Sequence, residues 1–177
     1  MTTHAFYQYI KYRLVAKTRH GVHSPFVYDF VENVLNGKIN LRTENKKLFF
    51  LEEQIFSGLY KDLVIKIINY YNCYNILCIG QTGLQNVYIP SGTDVIWLNM
   101  PVNITGEKII NKAITGAQDH TIIVVSNIHE TRLHTEMWNR VAKGTKVKLS
   151  IDLYKIGLLF FKEEFKVKQH FILKYPA

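Results

Sequence analysis

Cysteine is scarce in this chain: only Cys73 and Cys78 occur, five positions apart. They form neither a CxxC pair nor a zinc-ligand pattern, so a disulfide framework can be set aside. Cys78 lies inside an apolar run and reads as a small buried hydrophobe. No apolar run approaches the length needed to cross a bilayer. The opening stretch MTTHAFYQYIKYRL is aromatic and basic and lacks the apolar centre of a secretory signal, which makes the cytoplasm the expected location. Internal repeats and low-complexity tracts are missing, as is the aromatic-basic signature of an RNA-binding sheet.

What is present is a globular composition. The 177 residues are 47 % hydrophobic and 20 % charged, enough for one domain with a sizeable core rather than a disordered chain. Aromatic residues make up 13 %, with eleven Tyr and ten Phe, so packing should rely on rings. The net charge of +8 suits an anionic partner such as nucleic acid, a phosphorylated metabolite or a membrane surface, and equally suits solubility alone. The lysines do not decide between these, because Lys11, Lys46, Lys66, Lys112, Lys146 and Lys166 are spread along the chain.

Residues 3–17 read as a helix with Phe6, Tyr9, Ile10 and Leu14 forming its apolar stripe. Arg13 falls within that stripe and must snorkel outward or meet an anionic group. In TRHGVHSPFVYDFVENVLNG, Ser24-Pro25 is a helix start and Asn36-Gly37 a stop, with Phe26, Phe30, Val31 and Val34 as the apolar face. Glu44 to Asn72 reads as two further helices broken near Ser57-Gly58, the second packing LVIKIINYY on a sheet. From residue 74 the period changes. NILCIG, DVIWLNM and HTIIVVSN are short continuous apolar runs, as in strands buried on both faces. Helices predicted over 105–116 and 130–143 separate them, and this alternation argues for an α/β, Rossmann-like sheet. VKLSIDLYKIGLLFF and QHFILKY read as antiparallel strands closing one end. The expectation is a single domain, with a helical N-terminal part (1–72) on a sheet part (73–177).

RHGVHSPFVYDFVENVL, INYYNCYNILCIG and SNIHETRLHTEMWNRVAKGTKVKLSIDLYKIGLLFF...KQHFILKY together resemble bacterial, Bacteroidetes-type, class I S-adenosylmethionine-dependent methyltransferase-like proteins. The likeness covers both ends of the chain. It implies a cofactor, S-adenosylmethionine, bound at the carboxyl ends of the strands. It also implies departures. Cys78 stands where the family's first strand carries an acidic residue, and Gly83 is shifted by one to leave GQTG. Asp94 to Met100 matches the family's fourth strand, so the second and third would be absent, the sheet shortened, and the acidic residue that grips the ribose lost. Asn99 stands where relatives carry Asp, and Ser126 and Asn127 where they carry an acidic pair. Without those carboxylates a divalent cation has little to hold it.

Gly80, Gln81, Thr82, Gly83 and Asn99 are thus the candidate cofactor contacts, although a lone GxxG also makes an ordinary strand-to-loop turn. His129 and Asn127 are candidate pocket residues at a strand end. Arg19, His20 and His23 flank a helix start and offer either an anion site or a structural turn. His129 and His134 are five apart, about 140° around a helix, and cannot share a zinc ion there. Asp152, in an apolar strand, needs a partner, with Arg19 or Arg13 as the expected mate. Trp97 and Trp138 read as core, with Trp97 near enough to a strand end to stack on a ligand. No nucleophile-base constellation can be assembled. Three functions are therefore carried forward. The first is a degenerate methyltransferase-like protein with weak or lost S-adenosylmethionine binding, acting as a binding or regulatory module. The others are an active small-molecule methyltransferase and a nucleic-acid-binding protein. An exposed sheet edge would favour a homodimer.

Overall fold

A computed structural model of the chain describes residues 2–38, 47–50, 59–80, 88–99 and 104–175. The elements run α1 (Thr3–Val15), a 3-10 turn (Arg19–Gly21), α2 (Pro25–Phe30) continuing into a π turn (Val31–Leu35), β1 (Lys47–Phe50), α3 (Leu59–Tyr70), β2 (Asn75–Ile79), β3 (Val95–Leu98), α4 (Ile104–Gly116), β4 (Ile122–Ser126), α5 (Arg132–Ala142), β5 (Leu149–Asp152), β6 (Ile156–Phe160) and β7 (Gln169–Ile172). One seven-stranded sheet is ordered β1-β2-β3-β4-β6-β5-β7. Among the described strands only β6 runs against the rest, so the fold is α/β with a mostly parallel sheet. Among the described residues no helix is long and apolar enough to cross a membrane.

Continuous apolar runs make sense because both faces of the central strands are covered. Val95, Ile96, Trp97 and Leu98 are all buried, as are residues 122–126 of β4. One face carries Ile76, Cys78, Val95, Trp97 and Val124 against Phe30 and Val34 of the N-terminal helices and Leu63 and Ile67 of α3. The other carries Leu77, Ile79, Ile96, Leu98 and Ile123 against α4 and α5. Residues on both sides of position 72 therefore share one core. Burial pushes the Cys78 thiol up to about 12, so it stays protonated and inert.

The structure corrects the sequence reading at several points. Residues 47–50, expected in a helix, form strand β1 in parallel register with β2; a ladder with a long-range partner overrides local periodicity. The expected helix break near Ser57-Gly58 lies outside the described residues. The sheet is not narrow, because β1 and β7 extend it on either side. β2 and β3 are parallel neighbours, with Ile79 opposite Leu98. QHFILKY runs parallel to β5 rather than antiparallel, since a loop rather than a tight hairpin joins it to β6. Lys17 bridges Leu173 beyond its end.

The helix starts and stops also differ in detail. Ser24 precedes α2 without a side-chain capping bond, and Tyr28 N–H donates to its carbonyl at 2.9 Å instead. Gly37 is not left-handed; a Cβ there would sit 2.1 Å from the Asn33 carbonyl oxygen, so close approach is what requires glycine. The predicted stripe of α1 faces the wrong way. Phe6, Ile10 and Leu14 are exposed, while Ala5 and Tyr12 are buried. Tyr12 anchors the helix by donating to the Leu173 carbonyl at 2.6 Å and accepting from Tyr175 N–H at 2.9 Å. Arg13 lies over the Tyr9 ring, 5.9 Å from its centre.

Gly157 of β6 leaves the room that Trp138 of α5 fills. A Cβ there would fall 2.4 Å from the Trp138 ring. Gly157→Ala should therefore lower stability by about 1–3 kcal/mol through overpacking. Urea denaturation measures this, and an unchanged midpoint would mean that Trp138 swings aside freely.

Candidate functional site

Parallel register brings the carboxyl ends of β2, β3 and β4 side by side, where open α/β sheets bind ligands. Gly80 follows β2 and is buried. Gln81, Thr82 and Gly83 lie outside the described residues. Asn99, just past β3, donates its N–H to the Ile79 carbonyl at 2.9 Å. Asn127, just past β4, is left-handed at φ 60° and donates its N–H to the Lys155 carbonyl at 2.6 Å. Its side-chain amide reaches Asn99 Oδ1 at 3.4 Å. Beside them the Trp97 indole N–H donates to Ser126 Oγ at 2.9 Å, so Trp97 is core and its polar edge is engaged.

His129 sits two residues beyond Asn127, between two cavities. One, of about 350 Å³, is lined by Asn127, Glu130, Tyr154 and Lys155, with Thr2 and Ala5 of the N-terminal segment. The other, of about 170 Å³, lies beneath α1 and includes Lys11, Tyr12, Thr135, Asn139, Asp152 and His170. His129 Nε2 donates to Asp152 Oδ2 at 2.7 Å. The same oxygen accepts from the Trp138 indole at 3.2 Å, and Oδ1 accepts from Tyr154 N–H at 2.8 Å. Asp152 is thus buried with three donors, as a carboxylate in an apolar setting must be. Neither Arg19 nor Arg13 is its mate. Arg19 pairs with Glu32 at 3.0 Å, since its turn packs beside the π turn instead of reaching the sheet end.

The far side of His129 completes a chain. Its Nδ1 lies 3.1 Å from Thr135 Oγ1, which also lies 3.0 Å from His4 Nε2 and 3.2 Å from the Thr131 carbonyl. The hydroxyl has one proton for these partners. Whichever partner receives it, each ring nitrogen of His129 faces a hydrogen-bonding group, Nε2 at Asp152 and Nδ1 at Thr135, so the residue lines the cavities with both nitrogens engaged.

Tyr154 holds this region together from the hairpin between β5 and β6. It is left-handed at φ 71°, unusual for a bulky residue. The bond from its N–H to Asp152 fixes that conformation, and its hydroxyl donates to the Ala5 carbonyl at 2.6 Å, tying the hairpin to α1. Its ring packs on Tyr9, Tyr12 and His129.

The structure therefore joins Asn99, Asn127 and His129, and adds Asp152, Thr135 and Tyr154, which the sequence reading did not place in a site. The run IDLY held a legible signal in its lone acid, but not the partner. Arg19, His20 and His23 form a separate group. Arg19 Nε–H donates to His20 Nε2 at 3.2 Å, His23 is exposed, and α2 behind them has six residues. Among the described residues none of their hydrogen bonds or ion pairs reaches the strand ends. No group of three His, Cys, Asp or Glu side chains able to hold a metal ion is found among the described residues. In comparisons with family models, curated proteins and solved structures, nothing matches this chain.

Two expectations follow. Asp152→Asn leaves one acceptor oxygen where two are used, so whichever way the amide turns its NH2 faces at least one donor, and the change should cost about 1–3 kcal/mol of unfolding free energy in urea titrations. His134 and His170 are both held below the ordinary histidine value of 6.5, first by burial, with Glu130 and Asp152 respectively opposing the shift. Below about 6.5 the unfolded chain takes up protons that the folded state resists, so their contribution to stability is present above that pH and is lost on acidification. Urea midpoints at about pH 7.5 and about pH 5.5 should differ less in a His134→Gln, His170→Gln double variant than in the parent.

Proposed function

We propose that this protein is a methyltransferase-like binding module, derived from a class I S-adenosylmethionine-dependent enzyme, whose cofactor grip is weak or lost. The observation that supports this reading is the chemistry of the strand tips. In the resembled family carboxylates stand where this chain has Asn99, Ser126 and Asn127. Here the two amides reach toward each other and the hydroxyl accepts from Trp97. Neutral groups turned toward one another leave little to hold a divalent cation.

The acceptor side is better kept than the donor side. Two cavities flank His129, and the larger is of a volume that suits a small molecule. With both ring nitrogens of His129 engaged, this pocket is equipped to hold a polar ligand rather than to deprotonate one. A module that retains a pocket and lacks a donor grip acts by binding.

Isothermal titration and thermal melting with S-adenosylmethionine and S-adenosylhomocysteine test the reading. Little heat and little melting shift are expected up to millimolar ligand. A bound cofactor at a hundred times its dissociation constant would add about 2.7 kcal/mol of stability. A clear upward shift with either compound would replace the module by an active small-molecule methyltransferase.

A further inference from the structure

Helix α1 buries one side and presents the other to solvent. Ala5 and Tyr12 face the body of the protein, whereas Phe6 is 52 % exposed, Tyr7 64 %, Ile10 45 % and Leu14 81 %. At about 100° per residue, Phe6, Ile10, Leu14 and Tyr7 fall within one arc of about 100° on the side away from the buried residues. Arg13 lies about 20° beyond one border of the arc and Lys11 about 40° beyond the other. Lys17 follows at the carboxyl end of the helix. The chain has no Asp or Glu before Asp29, so no acid on α1 or in the turn after it offsets these cations.

We infer that this face docks on an anionic lipid bilayer, with α1 lying in the plane of the interface. The apolar arc would enter the boundary between headgroups and acyl chains, and the flanking cations would meet the phosphates. Arg13 and Lys11 are placed for this, because long basic side chains can cover apolar surface while their charged ends reach outward. Tyr12, bonded to Leu173 and Tyr175, fixes the helix to the sheet, so the face is presented already formed.

Charge selects this occupant over the others. A second copy docked through the same face would set Lys11, Arg13 and Lys17 against their own counterparts. Nucleic acid would take the cations and stack on rings, but Ile10 and Leu14 offer no ring face. An anionic bilayer satisfies both halves of the surface at once. The inference does not rest on loss of the cofactor, since α1 carries none of the strand-tip residues.

Co-sedimentation of the full chain with phosphatidylcholine vesicles, with and without phosphatidylglycerol, tests the inference. Three basic residues near a charged surface predict a preference on the order of a hundredfold for the phosphatidylglycerol vesicles, falling as salt is raised. A Phe6→Ser, Leu14→Ser double variant should lose that binding while melting like the parent, because both side chains are exposed. A Lys11→Glu, Arg13→Glu variant should lose the preference. Tyr7→Trp supplies an insertion probe on this face, whose emission should shift to the blue on phosphatidylglycerol vesicles. Absence of binding to either vesicle would overturn the inference. So would vesicle binding that the double serine variant leaves intact, a dimer in solution that this variant abolishes, or an oligonucleotide that binds more tightly than the vesicles and displaces them.

Discussion

One buried carboxylate organises the carboxyl-end half of this molecule. Asp152 accepts from His129 in the loop after β4, from Trp138 in α5, and from Tyr154 in the β5–β6 turn. Each donor comes from a different element, so satisfying a single charge fixes three pieces of chain relative to the sheet. A carboxylate that close to the core is tolerated only when fully bonded, and removing any donor would leave the remainder under-compensated. The space for Trp138 in turn exists because β6 has glycine at 157. The Tyr154 turn, held left-handed by the same acid, reaches across to α1.

This arrangement separates two regions that lie side by side. At the tips of β3 and β4 the side chains are neutral and turned toward each other. Around His129 they are polar, bonded in a chain and bordered by cavities. The second region also holds the fold together, through the three donors to Asp152. Asp152, His129 and Trp138 cannot be traded away without loss of stability, whereas Asn99 and Asn127 carry no comparable structural charge.

Helix α1 links that interior to the surface. Its inner side meets Tyr154 through Tyr9 and Tyr12, and His4 joins the hydrogen-bonded chain at Thr135. Its outer side carries the apolar arc and its basic borders. A ligand in the cavity beneath α1 and a surface against its outer face would thus act on the same thirteen-residue helix. Such an arrangement gives binding at one side a physical route to the other, through packing alone.

Much of the scaffold was legible without coordinates. The apolar runs at 75–79, 95–98 and 122–126 announced buried strands, and the periodic segments between them announced α4 and α5, because a strand covered on both faces and an amphipathic helix each leave a local pattern. Gly80, Asn99 and His129 could be placed at strand ends for the same reason. The parts that stayed hidden depend on partners distant in the chain. Residues 47–50 became a strand only by pairing with β2, and β7 took its direction from the loop that delivers it to β5. The outward turn of Phe6, Ile10 and Leu14 followed from Tyr12 finding Leu173, a hundred and sixty-one positions away. Asp152 found a histidine and an indole instead of an arginine. Periodicity and composition are local properties, so the sequence by itself determined which segments would be strands and helices in the sheet's centre. Which face of a helix is buried, and which donors satisfy a buried carboxylate, are set by contacts between distant segments, and those only the tertiary structure decided.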